Sequence, residues 1–289
     1  MSDSQKELGT EQSSTTLPDF ELDDLEIDLL LDAIFRRYGY DFREYSRASL
    51  KRRIINRVQQ EELSCISELI PKILHDSHCF DRFLVELSIT VTKMFRNPDV
   101  FKFIRERVFP KLATYPRINI WHVGCATGEE VYSMAIMLEE EGLLDKTHIY
   151  ATDYNNSSLA IAEKSIYPID DVKLWSKNYQ ESGGKSSLSE FYRAKYDSVK
   201  MKSKLKRNIT FAHHNLMRDQ AFGEMHLILC RNVLIYFQLA LQNKVLNMMS
   251  GSLVHRGFLV LGDRETVEFT DISTDFEELE SRSRVYRKS

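Results

Sequence analysis

The sequence predicts an α/β fold in which a nucleotide-binding half follows an all-helical N-terminal region. The apolar run Ile118–Val123 has the β-branched alternation of a buried strand, and a glycine-rich turn, Gly124–Gly128, follows it at once. Apolar side chains then recur at helical spacing through Leu138. A second strand, His148–Thr152, ends on the acidic Asp153. Strand, glycine turn, helix and a strand ending in an acid are the layout of a nucleotide-binding α/β half.

The glycine turn favours a nucleoside ligand without phosphates. Its spacing is G-x-x-x-G rather than the G-x-G-x-x-G that seats a pyrophosphate on helix amides, which disfavours a dehydrogenase. Glu129 and Glu130 stand where phosphates would lie, and carboxylates repel phosphates. A cationic nucleoside such as S-adenosylmethionine fits better, with Asp153 placed to accept hydrogen bonds from ribose hydroxyls. The alternative is that Thr127 and Glu130 form the capping box of an ordinary helix start.

Composition bounds the class of protein. The chain has 289 residues, enough for one large or two modest domains, and a formal net charge of −4. Residues 1–28 contain nine acids and one lysine, so the remainder is mildly basic. No apolar run approaches the roughly 18 residues of a membrane span, the N-terminus lacks a signal-peptide pattern, and the four cysteines lack C-x-x-C spacing. We therefore expect a cytoplasmic protein that does not insert into the membrane.

Composition and periodicity divide the chain into four segments. They are a disordered acidic tail (1–22), an N-terminal helical domain (23–90), a linker with a helix (91–116) and an α/β domain (117–289). Within the last segment, residues 170–207 interrupt the alternation of strands and helices. We predict that these residues form a small inserted antiparallel β-subdomain.

The helical domain contains an arginine-rich helix. Leu50, Ile54 and Val58 recur at helical spacing and mark its core-facing side. The pattern places five basic residues on other faces: Arg43, Arg47, Lys51, Arg53 and Arg57. It indicates either a solvated helix face or a docking surface for an acidic partner. Nucleic acid is disfavoured as that partner, because few aromatic residues lie among the basic ones and the whole chain is acidic.

His75, His78 and Cys79 are close enough in sequence to raise the question of a metal site. A structural zinc site needs four ligands, usually in two clusters, and no second cluster follows. These residues are therefore interpreted as ordinary helix residues, and no metal is expected.

Four motifs, in their order and spacing, resemble the CheR family of chemotaxis receptor glutamate methyltransferases. They are Thr90-Val-Thr-Lys-Met-Phe-Arg96, Trp121-His-Val-Gly-Cys-Ala-Thr-Gly-Glu-Glu130, Ala151-Thr-Asp153 and Arg231-Asn-Val-Leu-Ile-Tyr-Phe237. The resemblance extends from about Ile27 to the C-terminus. It implies a Rossmann-like class I methyltransferase domain with a small inserted β-subdomain, preceded by an all-helical domain.

The resemblance also implies the reaction. The methyl donor would be S-adenosylmethionine and the product S-adenosylhomocysteine. The substrate would be a glutamate side chain on the cytoplasmic helical bundle of a methyl-accepting chemotaxis protein. A glutamate carboxylate, with a pKa of about 4.3, is already ionised at neutral pH, so its methylation needs no general base.

Residue by residue, the resemblance implies two sets of roles. Arg96 and Tyr236 would lie near the reacting centre, where one of them would orient the incoming carboxylate. The implied cofactor contacts are Thr90, Thr92 and Arg96 over the methionine moiety, Gly124 in the glycine turn, Glu130 at the charged amino-acid end, Asp153 at the ribose, Asn215 and Leu216 beside the adenine, and Arg231 and Asn232 at a strand tip.

The sequence departs from the family at several positions. Ala126 stands where members often have serine, Thr90 where they have asparagine and Met94 where they have phenylalanine. The usual G-x-S-E pattern is Gly262-Asp-Arg-Glu265 here. Some members bind a tethering receptor pentapeptide through a glycine-containing β-subdomain, but residues 188–210 contain no glycine. We therefore do not expect pentapeptide tethering.

Receptor recognition is expected to rely on the basic helix instead, and the protein is expected to be a monomer. The acidic tail is a candidate to cover this helix in competition with the receptor. Two other functions stay open. One is the same chemistry on a receptor of a non-chemotaxis signalling pathway, and the other is a catalytically silent module that binds S-adenosylmethionine.

Overall fold

Four helices form the N-terminal region of the computed structural model, which describes residues 19–87 and 92–289. They are α1 (Asp19–Tyr38), α2 (Arg47–Gln60), α3 (Leu69–His75) and α4 (Ser77–Leu87). Ile27, Leu30 and Ile34 lie on one face of α1 and are fully buried, as its helical periodicity predicts. Because α1 begins at Asp19, the prediction of a disordered tail is wrong for residues 19–22, and residues 1–18 lie outside the described part.

His75, His78 and Cys79, which were considered as metal ligands and interpreted as ordinary helix residues, do not share a face. Cys79 is buried in the helical core, whereas His75 and His78 are exposed. Among the described residues, no group of three or more His, Cys, Asp or Glu side chains is arranged to hold a metal ion. In residues 19–87 and 92–289, no helix is both long and apolar enough to cross a membrane.

The rest of the chain alternates helices and strands. In order its elements are α5 (Pro98–Phe103), α6 (Phe109–Leu112), β1 (Ile118–Val123), α7 (Glu129–Glu140), β2 (Thr147–Asp153), α8 (Asn156–Lys164), β3 (Ile166–Pro168), α9 (Val172–Glu181), β4 (Tyr192–Lys195), β5 (Ser198–Met201), α10 (Ser203–Lys206), β6 (Ile209–His213), β7 (Met225–Cys230), α11 (Leu239–Ser252), β8 (Leu253–Leu261), β9 (Phe276–Glu280) and β10 (Val285–Lys288). A single π-helical turn joins α5 to α6.

Seven strands form the large sheet, in the order β6-β2-β1-β7-β8-β10-β9. The first five are parallel, and β10 runs antiparallel to both of its neighbours. Trp121 and Val123 of β1 join the core shared with the N-terminal helices, while Ile118 and Ile120 join the core on the opposite face. A mainly parallel sheet covered on both faces confirms the predicted α/β fold.

A second, antiparallel sheet has three strands in the order β3-β5-β4. It begins at Ile166, four residues before the predicted insertion at 170–207, and α9 lies within that segment. The sequence pattern did not predict β3, because this strand has only three residues and one of them is Pro168. The other domain bounds stay predictions.

Candidate active site

The glycine turn lies where β1 ends, and its conformation requires glycine at two positions. Gly124 has φ +65°, and a Cβ there would lie 2.6 Å from a methyl carbon of Val233. Gly128 has φ +90°, and its Cβ would lie 2.8 Å from that of Ala162. Between them, the backbone N–H of Ala126 donates to the Asp153 carboxylate at 2.9 Å. The turn therefore lies directly against the acidic end of β2.

The capping-box alternative for this turn is wrong. The residue before α7 is Gly128, which has no side chain, and no side-chain cap bond forms there. Thr127 donates its hydroxyl to the Glu129 carboxylate at 2.6 Å, not to Glu130. Burial raises the pKa of Glu129 to about 7, with the Thr127 hydrogen bond opposing the shift. The Glu130 side chain does not take part in this contact and lines the pocket instead.

Glu130, Arg231 and His122 form an ionic cluster. One Glu130 oxygen lies 2.8 Å from Nη1 of Arg231, and the other lies 3.1 Å from Nδ1 of His122. Burial by itself would raise the pKa of Glu130, but the Arg231 charge and the His122 hydrogen bond outweigh it and hold that pKa at about 2. Glu130 is therefore a carboxylate throughout the physiological range.

Arg231 also ties the linker to the site. Its Nη2 atom donates to the carbonyl oxygen of Arg96 at 3.2 Å and to Oδ1 of Asn97 at 2.9 Å. Phe95 and Asn97 both have left-handed backbones, with φ +52° and +56°. Such conformations cost free energy in residues other than glycine, so the surroundings must hold this turn in place. The turn presents Arg96 to the pocket with an exposed side chain.

Most of the predicted cofactor and catalytic residues meet in two neighbouring cavities. A cavity of about 460 Å³ is lined by Thr92, Arg96, Gly124, Glu130, Arg231, Asn232 and Tyr236. The adjoining cavity is lined by Asp153, Asn215 and Leu216, again with Gly124. Thr90 lies outside the described residues. The predicted residues that line these two cavities come from segments up to 144 residues apart in the chain.

The cavity beside Asp153 is small. Its volume is about 40 Å³, and Tyr45, Met217 and Phe237 line it together with the predicted adenine contacts. A volume of this size holds little more than water. A nucleobase would fit in it only if these side chains moved. Burial raises the pKa of Asp153, although the backbone N–H groups of Asn155 and Ala126 donate to its carboxylate and partly offset the shift.

The N-terminal helices hold Tyr236 from outside the pocket. The Arg53 guanidinium lies 4.8 Å from the centre of the Tyr236 ring, a cation–π distance. The carbonyl oxygen of Tyr236 accepts the backbone N–H of Ser46 at 2.8 Å, and Tyr45 pairs with Phe237 in an antiparallel bridge. The helical region is therefore part of the site's wall.

The predicted docking surface on α2 needs correction. Arg53 and Arg57 are only 6% and 7% exposed, and they donate to the carbonyl oxygens of Leu87 and Arg82 on α4. The prediction that these two arginines bind a partner is therefore wrong. Periodicity did not reveal that a second helix covers this side of α2, where the carbonyl oxygen of Leu87 at the end of α4 needs a donor.

The other three basic residues already have acidic partners. Arg43 pairs with Asp41 at 2.7 Å. Acidic residues of α1 neutralise the other two: Asp28 lies 2.7 Å from Arg47, and Asp23 lies 3.0 Å from Lys51. All three basic side chains remain about one third or more exposed, so this surface consists of solvated ion pairs rather than free positive charge.

Two residues that contact the lining of the site were not predicted from the sequence. His122 was hidden inside an apolar strand, although a polar side chain two residues before the glycine turn was a usable signal. Glu265 accepts backbone N–H groups of Asn232 and Val233 at 2.9 and 2.8 Å. Its signal was its place just past the end of a strand, where open α/β sheets bind ligands.

Two family models cover almost the whole chain. Residues 90–285 match the CheR methyltransferase SAM binding domain, and residues 25–88 match the CheR methyltransferase all-alpha domain. A Pseudomonas putida protein that carries the name methyltransferase Cher3 is 48% identical over 92% of this chain and 97% of its own length. Chemotaxis protein methyltransferase 1 of Vibrio cholerae is 31% identical over 76% of this chain and 80% of its own.

The residues present fit S-adenosylmethionine. The ionised carboxylate of Glu130 lines the pocket and suits an ammonium group, and two glycines let the backbone approach a ligand. Parallel strands on either side of β1 carry Asp153 and Arg231 at or just past their carboxyl ends, where nucleoside ligands bind. With the matched family domains, this arrangement identifies the chain as a member of the CheR family of S-adenosylmethionine-dependent methyltransferases.

Proposed function

We propose that this chain methylates glutamate side chains on the cytoplasmic helical bundle of a methyl-accepting chemotaxis protein. The observation that carries the proposal is the composition of the larger pocket. Arg231 is neutralised by Glu130, while the exposed Lys93 and Arg96 line the same cavity beside Tyr236. A positively charged pocket suits an incoming carboxylate and suits an amine poorly. The names of relatives such as the Vibrio cholerae protein agree with this substrate.

S-adenosylmethionine supplies an electrophilic methyl group when bound. In the transfer, the glutamate oxygen would form a bond to that methyl carbon while the carbon–sulfur bond breaks and leaves its electron pair on sulfur. No proton moves, so the protein's part is to bind, align and exclude water. Arg96 would orient the carboxylate through its guanidinium, and the Tyr236 hydroxyl would donate a second hydrogen bond.

The remaining predicted residues are proposed to hold the cofactor. Glu130 uses each of its oxygens once, and a carboxylate has about four acceptor sites, so an ammonium group can still be bound. Asp153 likewise accepts backbone N–H groups at both of its oxygens, and its remaining acceptor capacity would serve the ribose hydroxyls. Asn215 and Leu216 would lie against the adenine once the small cavity opens.

Receptor docking is proposed on the ion-paired face of α1 and α2. An acidic receptor segment would compete with Asp23, Asp24 and Asp28 for Arg47 and Lys51. Replacing Arg43, Arg47 and Lys51 by glutamate should therefore raise the KM for receptor and leave cofactor binding unchanged. Unchanged receptor methylation in that variant would remove this surface from the proposal. The reaction is placed in the cytoplasm because the receptor bundle is cytoplasmic.

The test is transfer of labelled methyl from S-adenosylmethionine to a receptor cytoplasmic fragment. Methyl esters hydrolyse in mild base, so the proposal predicts label that base releases. A fragment whose glutamates at the methylated sites are replaced by alanine should take up none. Base-stable label would contradict carboxyl methylation. Binding of S-adenosylhomocysteine with no transfer to any cognate receptor fragment would support the silent-module alternative.

A further inference from the structure

We infer that Glu265 is a positioning residue for methyl transfer, holding the Asn232–Tyr236 turn in the geometry that presents Tyr236 to the pocket. The inference rests on the proposed place of Tyr236 at the reacting centre. Glu265 is 4% exposed and follows β8 by four residues. Its side chain does not line the cavity, so it can act only through the backbone that does.

The Glu265 carboxylate accepts five backbone N–H groups. One oxygen accepts those of Gly262 and Asn232 at 2.5 and 2.9 Å, and the other accepts those of Val233, Leu234 and Ile235 at 2.8, 2.7 and 3.3 Å. Four of the five belong to consecutive residues of the turn. A single side chain thus fixes the direction of four successive peptide groups.

This turn has no other way to satisfy those groups within regular structure. Asn232 has a left-handed backbone with φ +62°, and a short 3-10 helix, Leu234–Tyr236, follows it. The first N–H groups of a helix lack intrahelical acceptors, and leaving them buried without partners costs free energy. Glu265 supplies the acceptor, and the conformation of Asn232 depends on it.

The close contact between Glu265 and the turn leaves no room for a side chain at position 262, where the residue is glycine. A Cβ at this position would lie 2.6 Å from the Glu265 carboxylate and 2.8 Å from the backbone nitrogen of Asn232. By contrast, Asp263 and Arg264 are exposed. The departure from the family's G-x-S-E pattern therefore falls on the solvent-facing Arg264 and leaves the glycine and the glutamate that hold the turn.

The turn ends at Tyr236. The Arg53 guanidinium contacts the ring of this residue, and the backbone N–H of Ser46 donates to its carbonyl oxygen. Loss of the Glu265 contact would release the Asn232–Tyr236 turn, while Glu130 on α7 and Asp153 on β2 stay in place. Because Asn232 is itself a predicted cofactor contact, we expect cofactor binding to weaken modestly and turnover to fall much more. Misplacing a catalytic group by about 1 Å can lower a rate about a hundredfold.

The test variant is Glu265→Gln, which keeps size and shape but loses the charge and one acceptor oxygen. The turnover number per S-adenosylhomocysteine-binding site should fall about a hundredfold, while the Kd for S-adenosylhomocysteine changes less than about tenfold. Counting binding sites removes the contribution of unfolded protein. Glu268→Gln, the same change at an exposed position three residues further along the chain, is the matched control and should leave both values unchanged.

Amide hydrogen exchange provides the second readout, and it needs no receptor. The N–H groups of residues 232–235 should exchange at least tenfold faster in Glu265→Gln than in the wild type, with exchange in β1 unaltered. If Glu265→Gln does not fold, Gly262→Ala serves instead, because its Cβ displaces the same contact while the charge remains. Per-site turnover within about twofold of wild type, or unchanged exchange at 232–235, overturns the inference.

These outcomes separate the inference from the proposed function. Wild-type protein that transfers no methyl to a receptor fragment contradicts the proposed function alone. The exchange measurement still decides in that case whether Glu265 fixes the turn.

Discussion

Replacing Glu130 by glutamine should destabilise the protein and remove a specific part of its acid sensitivity. The carboxylate has a pKa of about 2 in the folded chain against an ordinary value of 4.5, and its side chain is only 18% exposed. A difference of about 2.5 in pKa corresponds to about 3 kcal/mol of stability at neutral pH. Breaking a buried pair typically costs 3–5 kcal/mol, because the remaining charge, here Arg231 at 2% exposure, is left uncompensated.

The sign of the pH dependence follows from the lowered pKa. The stabilisation is fully present above about pH 4.5 and is lost as the pH falls through about 2. The difference in unfolding free energy between wild type and Glu130→Gln should therefore be about 3 kcal/mol at pH 7. It should shrink by about half at pH 3.

Denaturant unfolding at pH 7, 5 and 3 measures this difference. Glu106→Gln, the same change at an exposed position, is the control and should stay within about 0.5 kcal/mol of wild type at pH 7. A difference below about 1 kcal/mol at pH 7, or one that does not shrink towards pH 3, would refute the account of this ionic cluster. Glu130→Gln should also weaken binding of S-adenosylhomocysteine at pH 7.

Three further predictions concern single residues. Burial raises the pKa of Glu129 to about 7, so its charge costs stability as the pH rises through that value. Glu129→Gln should therefore unfold at a higher temperature than wild type at pH 8 and at the same temperature at pH 4.5; a lower Tm at pH 8 would contradict this. Tyr236→Phe should lower kcat about tenfold with an unchanged Kd for S-adenosylhomocysteine, and full activity would show that the hydroxyl has no role. Arg96→Ala should lower kcat/KM for receptor roughly 10- to 100-fold, and wild-type turnover would remove Arg96 from carboxylate orientation.

Local sequence patterns were sufficient to predict the strand–helix–strand unit that carries the glycine turn and Asp153. The glycine turn and Asp153 lie within one strand–helix–strand unit, where alternation, glycine spacing and a terminal acid are all visible in 36 consecutive residues. The motif at Arg231 was also visible. The partner of Arg231 was not visible, because pairing it with Glu130 requires knowing that β7 lies beside β1. The two residues are 101 positions apart in the sequence.

Helical periodicity did not predict that Arg53 and Arg57 are buried, because α2 packs against other helices on two sides. Arg53 and Arg57 directly precede the core residues Ile54 and Val58, so they sit at the border of the apolar face. Whether such positions face water depends on where α4 lies, and no local signal in α2 contains that information. The acidic partners of Arg47 and Lys51 on α1 were hidden for the same reason.

Site-resolved mass spectrometry of a receptor fragment after incubation with this protein and S-adenosylmethionine tests the central claim most directly. We predict a mass increment of one methyl group on glutamate side chains of the helical bundle, formed much more slowly by Arg96→Ala and reversed by mild base. A methyl group on lysine, arginine or a chain terminus would contradict it. So would an unmodified fragment from every cognate receptor while the protein still binds S-adenosylhomocysteine.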